Sequence, residues 1–417
     1  MTTLLASSVG HGAALWWLAG HAGARGLTIY SALMAVLALI SLPLLSPLAD
    51  RLCRRRLILW GQALLVVEAV ALMGLALAGG LSVSTLCACG ALATWAQAIV
   101  QPARTSLLLD LLPASRVSAA IRVRRGIQAL GTLGGPALGG LALSGGGVGV
   151  AFTLQALLAV AACGLALRTR PHAPSSPKRS TESWRASLLA GLRAKWQVRV
   201  DRWWSLTGAL MMIFFLPATG LLLPLRLQAI GASPIWLGLC GSALSLGVLA
   251  GVLGLADRCM TRLGRLRAMF AAIAVCGLSV GLIGAVERPW ALTICFGVIG
   301  VCMSITQLMG QTHRSLAVPE DFRARMASAQ LTLSHLAATM APLIAGLCLR
   351  QWPVEQVYGL MSAGFLVSGL ALLLVPDLRS FLAASTKEAC GWYQRRYPEA
   401  FRRAGPPEIT TAPPPPR

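Results

Sequence analysis

Charge is scarce in this sequence, and acid is scarcer still. Of 417 residues only 12% are charged and 14 are Asp or Glu, whereas a soluble domain carries roughly a quarter charged residues. Lysine is nearly missing: Lys178, Lys195 and Lys387 are the only three among 36 basic residues. So little charge cannot keep a chain this apolar dissolved in water. No Gly-x-x-x-x-Gly-Lys-Ser/Thr loop is present to cradle a nucleotide phosphate, and no His or Cys group has metal-ligand spacing. Nor is any polar stretch long enough to fold into a separate domain holding a site. These absences exclude an ATP-driven machine, a metal centre and, with no catalytic constellation anywhere, an enzyme. No cofactor is expected, and any uphill work has to draw on an ion or substrate gradient.

What the chain has in quantity is apolar surface: 56% of residues are hydrophobic and the mean hydropathy is +0.69. Apolar runs of about 20 residues recur, the length needed to cross a bilayer as helix. They place twelve spans at residues 4–20, 27–49, 57–79, 82–103, 121–144, 148–168, 203–225, 235–256, 268–286, 290–312, 326–349 and 354–376. The expected fold class is therefore an all-α membrane protein with about 12 transmembrane helices. The first run lacks a basic leader and a cleavage site, so it reads as a retained helix.

The net charge of +22 would suggest nucleic acid if the chain were soluble. Its distribution says otherwise. Of the 36 basic residues, only Arg25, Arg226, Arg288 and Arg350 fall on one side of the proposed spans. That asymmetry is the positive-inside pattern, so the Arg-rich segments and both termini are expected on the cytoplasmic side of the inner membrane, with no nucleic-acid partner. The 11 cysteines avoid the external turns and are expected as free thiols.

The organisation is a duplication. Leu48-Ala49-Asp50-Arg51 returns as Leu255-Ala256-Asp257-Arg258 at an offset of 207, Arg104 matches Arg314 at 210, and Pro136 matches Pro342 at 206. Two bundles of six helices each, at 1–168 and 203–376, follow from this internal repeat. Between them, 169–202 is first polar, then carries Trp184, Leu188, Leu192 and Trp196 every four residues among Arg185, Arg193 and Lys195. This pattern predicts a basic amphipathic helix in the headgroup region. The tail, 377–417, begins with aromatic residues that suggest a second membrane-surface segment and ends in Pro413 to Pro416, expected to be disordered.

Together these features resemble the major facilitator superfamily. Its cytoplasmic signature Gly-x-x-x-Asp-Arg-x-Gly-Arg-Arg is approximated by Ser46 to Arg56, with Asp50, Arg51, Arg54 and Arg55 in place and both glycines replaced, by Ser46 and Cys53. The second copy is Asp257 and Arg258, followed by Gly264 and Arg265. The resemblance implies a cytoplasmic gate: an acid at a helix end pairs with Arg and with the positive end of a neighbouring helix in one conformation and releases them in the other. A topology signal alone is the competing explanation. A second signature, Gly-x-x-x-Gly-Pro-x-x-Gly-Gly, is matched in full by Gly131, Gly135, Pro136, Gly139 and Gly140 in the fifth span. Small residues at this spacing let helices approach closely, and in the family the motif accompanies exporters and antiporters. Gln101 to Arg104 and Asp110 to Pro113 are similar to the branch with macrolide-efflux-like proteins and the enterobactin exporter, whereas the family's Arg in the fourth helix is absent.

Ionisable groups deep in the membrane are few, and each is costly enough to require a reason. His11, Glu68 and His335 are the candidates for proton coupling. His11 leads, because an ordinary histidine titrates near 6.5, and it follows Ser7-Ser8-Val9-Gly10 where the branch often carries an acid. Glu68 is set back by its place in the third helix, usually peripheral in this fold. For His335 an interhelical hydrogen bond serves as well. Gln97, Gln101, Gln155, Gln307 and Gln311 could line a cavity formed by the first, fourth, seventh and tenth spans, or simply bond helix to helix. The expected function is proton-coupled efflux of a small amphipathic or hydrophobic compound by a monomer working through alternating access. Uptake, a lipid-like substrate, or a sensor or scaffold that moves nothing are the alternatives.

Overall fold

The computed structural model describes residues 1–51, 54–111, 114–168, 184–384 and 386–401. Among the described residues the chain is helical throughout, with no strand. The helices are α1 (Thr2–Arg51), α2 (Arg54–Leu77), α3 (Val83–Leu111), α4 (Ala114–Arg168), α5 (Trp184–Gln197), α6 (Arg199–Thr219), α7 (Leu222–Ala229) and α8 (Ile235–Ala250). They continue with α9 (Ala256–Leu263), α10 (Arg265–Ala285), α11 (Pro289–Ala317), α12 (Glu320–Cys348), α13 (Val354–Leu370), α14 (Leu378–Ala383), α15 (Thr386–Ala389) and α16 (Trp392–Arg396).

Among the described residues ten helical stretches are long and apolar enough to cross a membrane, and two of them hold two spans each. A straight helix of the 50 residues in α1 would be about 75 Å long, more than twice a hydrocarbon core. It breaks at Gly23, where φ is 58°, a conformation that costs an L side chain but not glycine. The 55 residues of α4 break in the same way at Gly146 and Gly147, the latter with φ of 72°. Among the described residues this gives twelve segments of crossing length, in agreement with the about twelve helices expected from hydropathy.

The two halves meet through their proline-bearing helices. In the fifth span, Gly131, Gly135 and Gly139 present a bare stripe to the first span: a Cβ built on them would lie 3.2 Å from Leu4, 2.6 Å from Ser8 and 3.3 Å from the Cα of Val9. Gly140 faces the other way, across the halves, where a Cβ would lie 2.9 Å from the Cα of Gly238 in α8. Ser242 and Ser245 of α8 donate to the carbonyls of Leu133 and Thr132, both at 2.9 Å. The repeat reproduces this contact: Gly346 of α12 lies against Thr28 of the second span, and Thr339 donates to the carbonyl of Ala35 at 3.3 Å. The Gly-Pro segment thus serves two interfaces at once, packing inside its own half and across to the other.

A linker helix, Trp184–Gln197, forms over the four-residue pattern. Ala194, Lys195 and Val198 are buried, and a Cβ on Gly191 would clash with the backbone of Arg325. Leu189, Leu192 and Trp196 point outward, 65%, 39% and 60% exposed, and so remain available to a headgroup layer. The start of the tail turns back onto the second half: Phe381 and Tyr393 are fully buried, Phe381 meets the Trp204 ring edge-on at 6.0 Å, and the Gly391 amide donates to the carbonyl of Leu316 at 3.0 Å. The rings of Phe381, Trp392 and Tyr393 pack against one another. Pro413 to Pro416 lie outside the described residues.

Candidate functional site

A cavity of about 720 Å³ lies in the first half. Small residues create the room: Ser7, Ser8 and Gly10 of the first span, Ala35 and Ala38 of the second, and Gly90, Ala93 and Ala98 of the fourth line it. Leu65, Leu72, Leu86 and Met34 make its apolar wall, and His335 is the one contribution from the second half among its lining residues. This differs from the expected ring of first, fourth, seventh and tenth spans. In the seventh span the bulky Phe214 and Phe215 pack against the twelfth, at Gly364 and Phe365, and the tenth closes on the eighth through Gly300 and Gly247. Neither adds a lining residue to this cavity.

The polar groups sort themselves by partner. Gln97 donates to the Ser7 hydroxyl at 2.7 Å, pinning the fourth span to the first. Gln155 of the sixth span donates from Nε2 to both carboxylate oxygens of Glu68, at 3.2 and 3.0 Å. The third span is therefore not peripheral here; Glu68 is 5% exposed and lines the cavity. Gly10 makes this possible, since a Cβ there would fall 2.1 Å from Gln155 Oε1. Gln101 lines the cavity and is exposed to it, whereas Gln307 is exposed elsewhere and does not line it. The side chain of Gln311 lies outside the described residues.

His11 is exposed to internal space rather than packed. It borders the large cavity and also a smaller one of about 180 Å³, walled by Leu216, Pro217 and Gly220 of the seventh span and Ala338, Ala341 and Pro342 of the eleventh. His335 lines the large cavity, and its carbonyl accepts from Thr339 at 2.8 Å. Among the described residues no hydrogen bond reaches its ring.

The gate residues are scattered in what can be described. The side chains of Asp50, Arg51 and Arg54 lie outside the described residues. Arg55 donates to the carbonyl of Leu167 at 3.4 Å, and Arg265 to that of Ala384 in the tail at 2.6 Å. Asp257 and Arg258 are exposed, and among the described residues neither has an ion pair.

The strongest electrostatic cluster was not among the sequence candidates. Asp201, in the first turn of α6, is 1% exposed. Its Oδ2 takes Lys195 Nζ at 2.6 Å, and its Oδ1 takes Arg314 Nη2 at 2.6 Å, Arg314 Nε at 2.8 Å and the Tyr393 hydroxyl at 3.2 Å. Arg314 also donates to Ser205 at 2.6 Å and Gln330 at 3.2 Å. One carboxylate thereby ties the linker helix, the seventh, tenth and eleventh spans and the tail together. Burial, reinforced by the Arg314 charge and opposed by Asp201, pushes the Lys195 ammonium down to about 8. Burial beside Asp201 pushes the Tyr393 phenol well above its ordinary value, so it stays a donor. The repeat singled out Arg314, but no sequence pattern linked it to Lys195 and Asp201, six residues apart, or to Tyr393, 192 positions from Asp201. A second cluster explains one basic residue on the opposite side: Arg226 is buried, bonded to Glu355 at 2.5 Å and to the carbonyls of Ile283 and Val286 at 3.2 and 3.1 Å.

With this geometry in view, the kinship is plain. The sequence profile of the Major Facilitator Superfamily matches residues 3–281. The multidrug efflux pump Tap of Mycolicibacterium fortuitum is 25% identical over 382 residues, spanning 89% of this chain and 92% of the pump. Among solved structures, a variant of the peptide transporter POT superposes with a TM-score of 0.70 at 16% identity, covering 91% of this chain and 92% of its own. The nucleoside transporter NupG superposes with a TM-score of 0.70 at 13% identity, covering 92% and 97%, and these two show the fold alone. The chain belongs to the major facilitator superfamily and is a multi-pass membrane transporter of small molecules, not an enzyme.

Proposed function

We propose that the protein exports a small amphipathic compound across the inner membrane in exchange for protons, by alternating access, with both termini in the cytoplasm. The observation that carries this reading is the position of His11. It stands between the cavity of the first half and the smaller space bounded by the seventh and eleventh spans. A group there feels both the bound compound and the arrangement of the halves. Protonation adds a charge at a place whose surroundings change as the halves move, which biases one state over the other. Export rather than uptake is favoured by the complete Gly-Pro segment, which packs against both the first and the eighth spans, and by the similarity to an efflux pump. The cytoplasmic location of the termini rests on the one-sided placement of the arginines.

The test uses proteoliposomes loaded with an amphipathic fluorescent dye and an imposed proton gradient. The parent should accumulate dye against its gradient, and His11→Gln should abolish gradient-driven movement while keeping dye-for-dye counterflow, which needs no net proton transfer. Undiminished proton-driven transport by His11→Gln refutes the coupling role, and absence of any dye movement by the parent refutes export of such compounds.

A further inference from the structure

The cavity is chemically one-sided. In a chain of net charge +22, its lining among the described residues includes one carboxylate, Glu68, and neither lysine nor arginine. That carboxylate offers about four acceptor positions, yet among the described residues it receives one nitrogen, Gln155 Nε2 at 3.2 and 3.0 Å, and no ion pair. Gln155 has its own deficit, because its Oε1 is buried against Gly10 and has no donor among the described residues. The amide cannot cure this by turning over beside an ionised Glu68, since that would set acceptor against acceptor. A deep carboxylate held by a single amide is an incomplete arrangement, because buried ionised groups need a counter-charge and several hydrogen bonds.

Resting on the reading of this cavity as the substrate space, we propose that Glu68, positioned by Gln155, recognises a protonated amine that carries at least one N–H. The body of the ligand lies against Leu65, Leu72, Leu86 and Met34, and about 720 Å³ falls within the range of pockets that hold drug-sized molecules. What the site lacks is a donor as well as a charge, so a quaternary ammonium of the same shape is the poorer ligand. An ammonium donating to a carboxylate makes a charge-assisted hydrogen bond, about twice as strong as a neutral one, whereas a quaternary centre keeps only the Coulomb attraction. Carboxylate-bearing compounds are repelled. Gly10 sets the geometry from outside: any side chain there must push Gln155 away, since even a Cβ would lie 2.1 Å from Oε1. Glu68 thus belongs to substrate recognition, leaving His11 as the coupling group.

The experiment is equilibrium dialysis on the purified full-length protein in phosphatidylcholine nanodiscs, with no gradient. The probes are a radiolabelled lipophilic arylalkyl tertiary amine, its N-methyl quaternary derivative, and the uncharged ether of the same skeleton. The tertiary amine should bind about tenfold or more tightly than the quaternary derivative, the scale of one charged hydrogen bond. Glu68→Gln should remove that advantage and bring the amine to the level of the ether. Gly10→Ala and Gln155→Leu should each weaken the amine several-fold with little effect on the ether, and they carry the test should Glu68→Gln fail to fold. Equal affinity for tertiary and quaternary probes, or unchanged amine binding in all three variants, overturns the assignment. A protein that binds the amine as described but moves no dye leaves this assignment standing and refutes the transport reading. One that exports dye yet shows no preference for the amine does the reverse.

Discussion

Replacing Asp201 by Asn keeps the shape of the side chain and removes its charge, which makes it the sharpest probe of how the second half is held together. In the parent, the Asp201 side chain is 2% exposed, with Lys195 and Arg314 at 8% and 17%. The substitution leaves two buried cations without their anion and turns amide hydrogens toward donors. Breaking a buried ion pair by removing one partner costs about 3–5 kcal/mol. The loss of an acceptor for the Tyr393 hydroxyl belongs to the same network and so does not simply add. A loss of about 3–5 kcal/mol is expected, read as a lower melting temperature of the detergent-solubilised protein. The deficit should respond little to added salt, because the group is screened from solvent. The tail should loosen at the same time, seen as faster amide exchange around Gly391, whose amide bonds to Leu316. An Asp201→Asn variant that melts with the parent and keeps its tail protected would refute the reasoning, and would mean that aromatic packing of Phe381 and Tyr393 holds the tail unaided.

Lys195→Met should change the pH dependence of stability. Because the folded lysine sits at about 8 against an ordinary 10.5, the unfolded chain binds more protons between those values, so the parent gains stability as pH rises through that window. The variant should lose this alkaline gain in thermal melts between pH 7.5 and 10, and a persisting rise would remove Lys195 as its source. Gly140→Val puts a Cβ 2.9 Å from the Cα of Gly238 and 3.0 Å from the carbonyl oxygen of Ile235, backbone atoms that cannot swing aside. Overpacking of this kind costs about 1–3 kcal/mol, so melting should fall and dye export should be lost, while normal export would show that this interface opens freely.

The sequence by itself determined the class of protein and its plan. Twelve crossings follow from apolar run length, a local property of the chain. Even the double use of the Gly-Pro segment was half visible, since small residues four apart announce close packing without naming the partner. The site was legible only in part. His11, Glu68, Gln97, Gln101 and Gln155 stand out as polar groups in apolar runs, but their pairing does not. Glu68 meets Gln155 across 87 positions because Gly10 leaves room for the amide, and nothing near either residue signals this. The burial of Lys195 and of the tail's rings escaped the sequence reading for the same reason. A lysine on an amphipathic helix is exposed by default, and an aromatic tail is drawn to any apolar surface. Tertiary structure alone supplied the buried carboxylate of Asp201 and the cleft that receives Tyr393, because a charge or ring can be buried only where distant parts of the chain converge to complete its contacts.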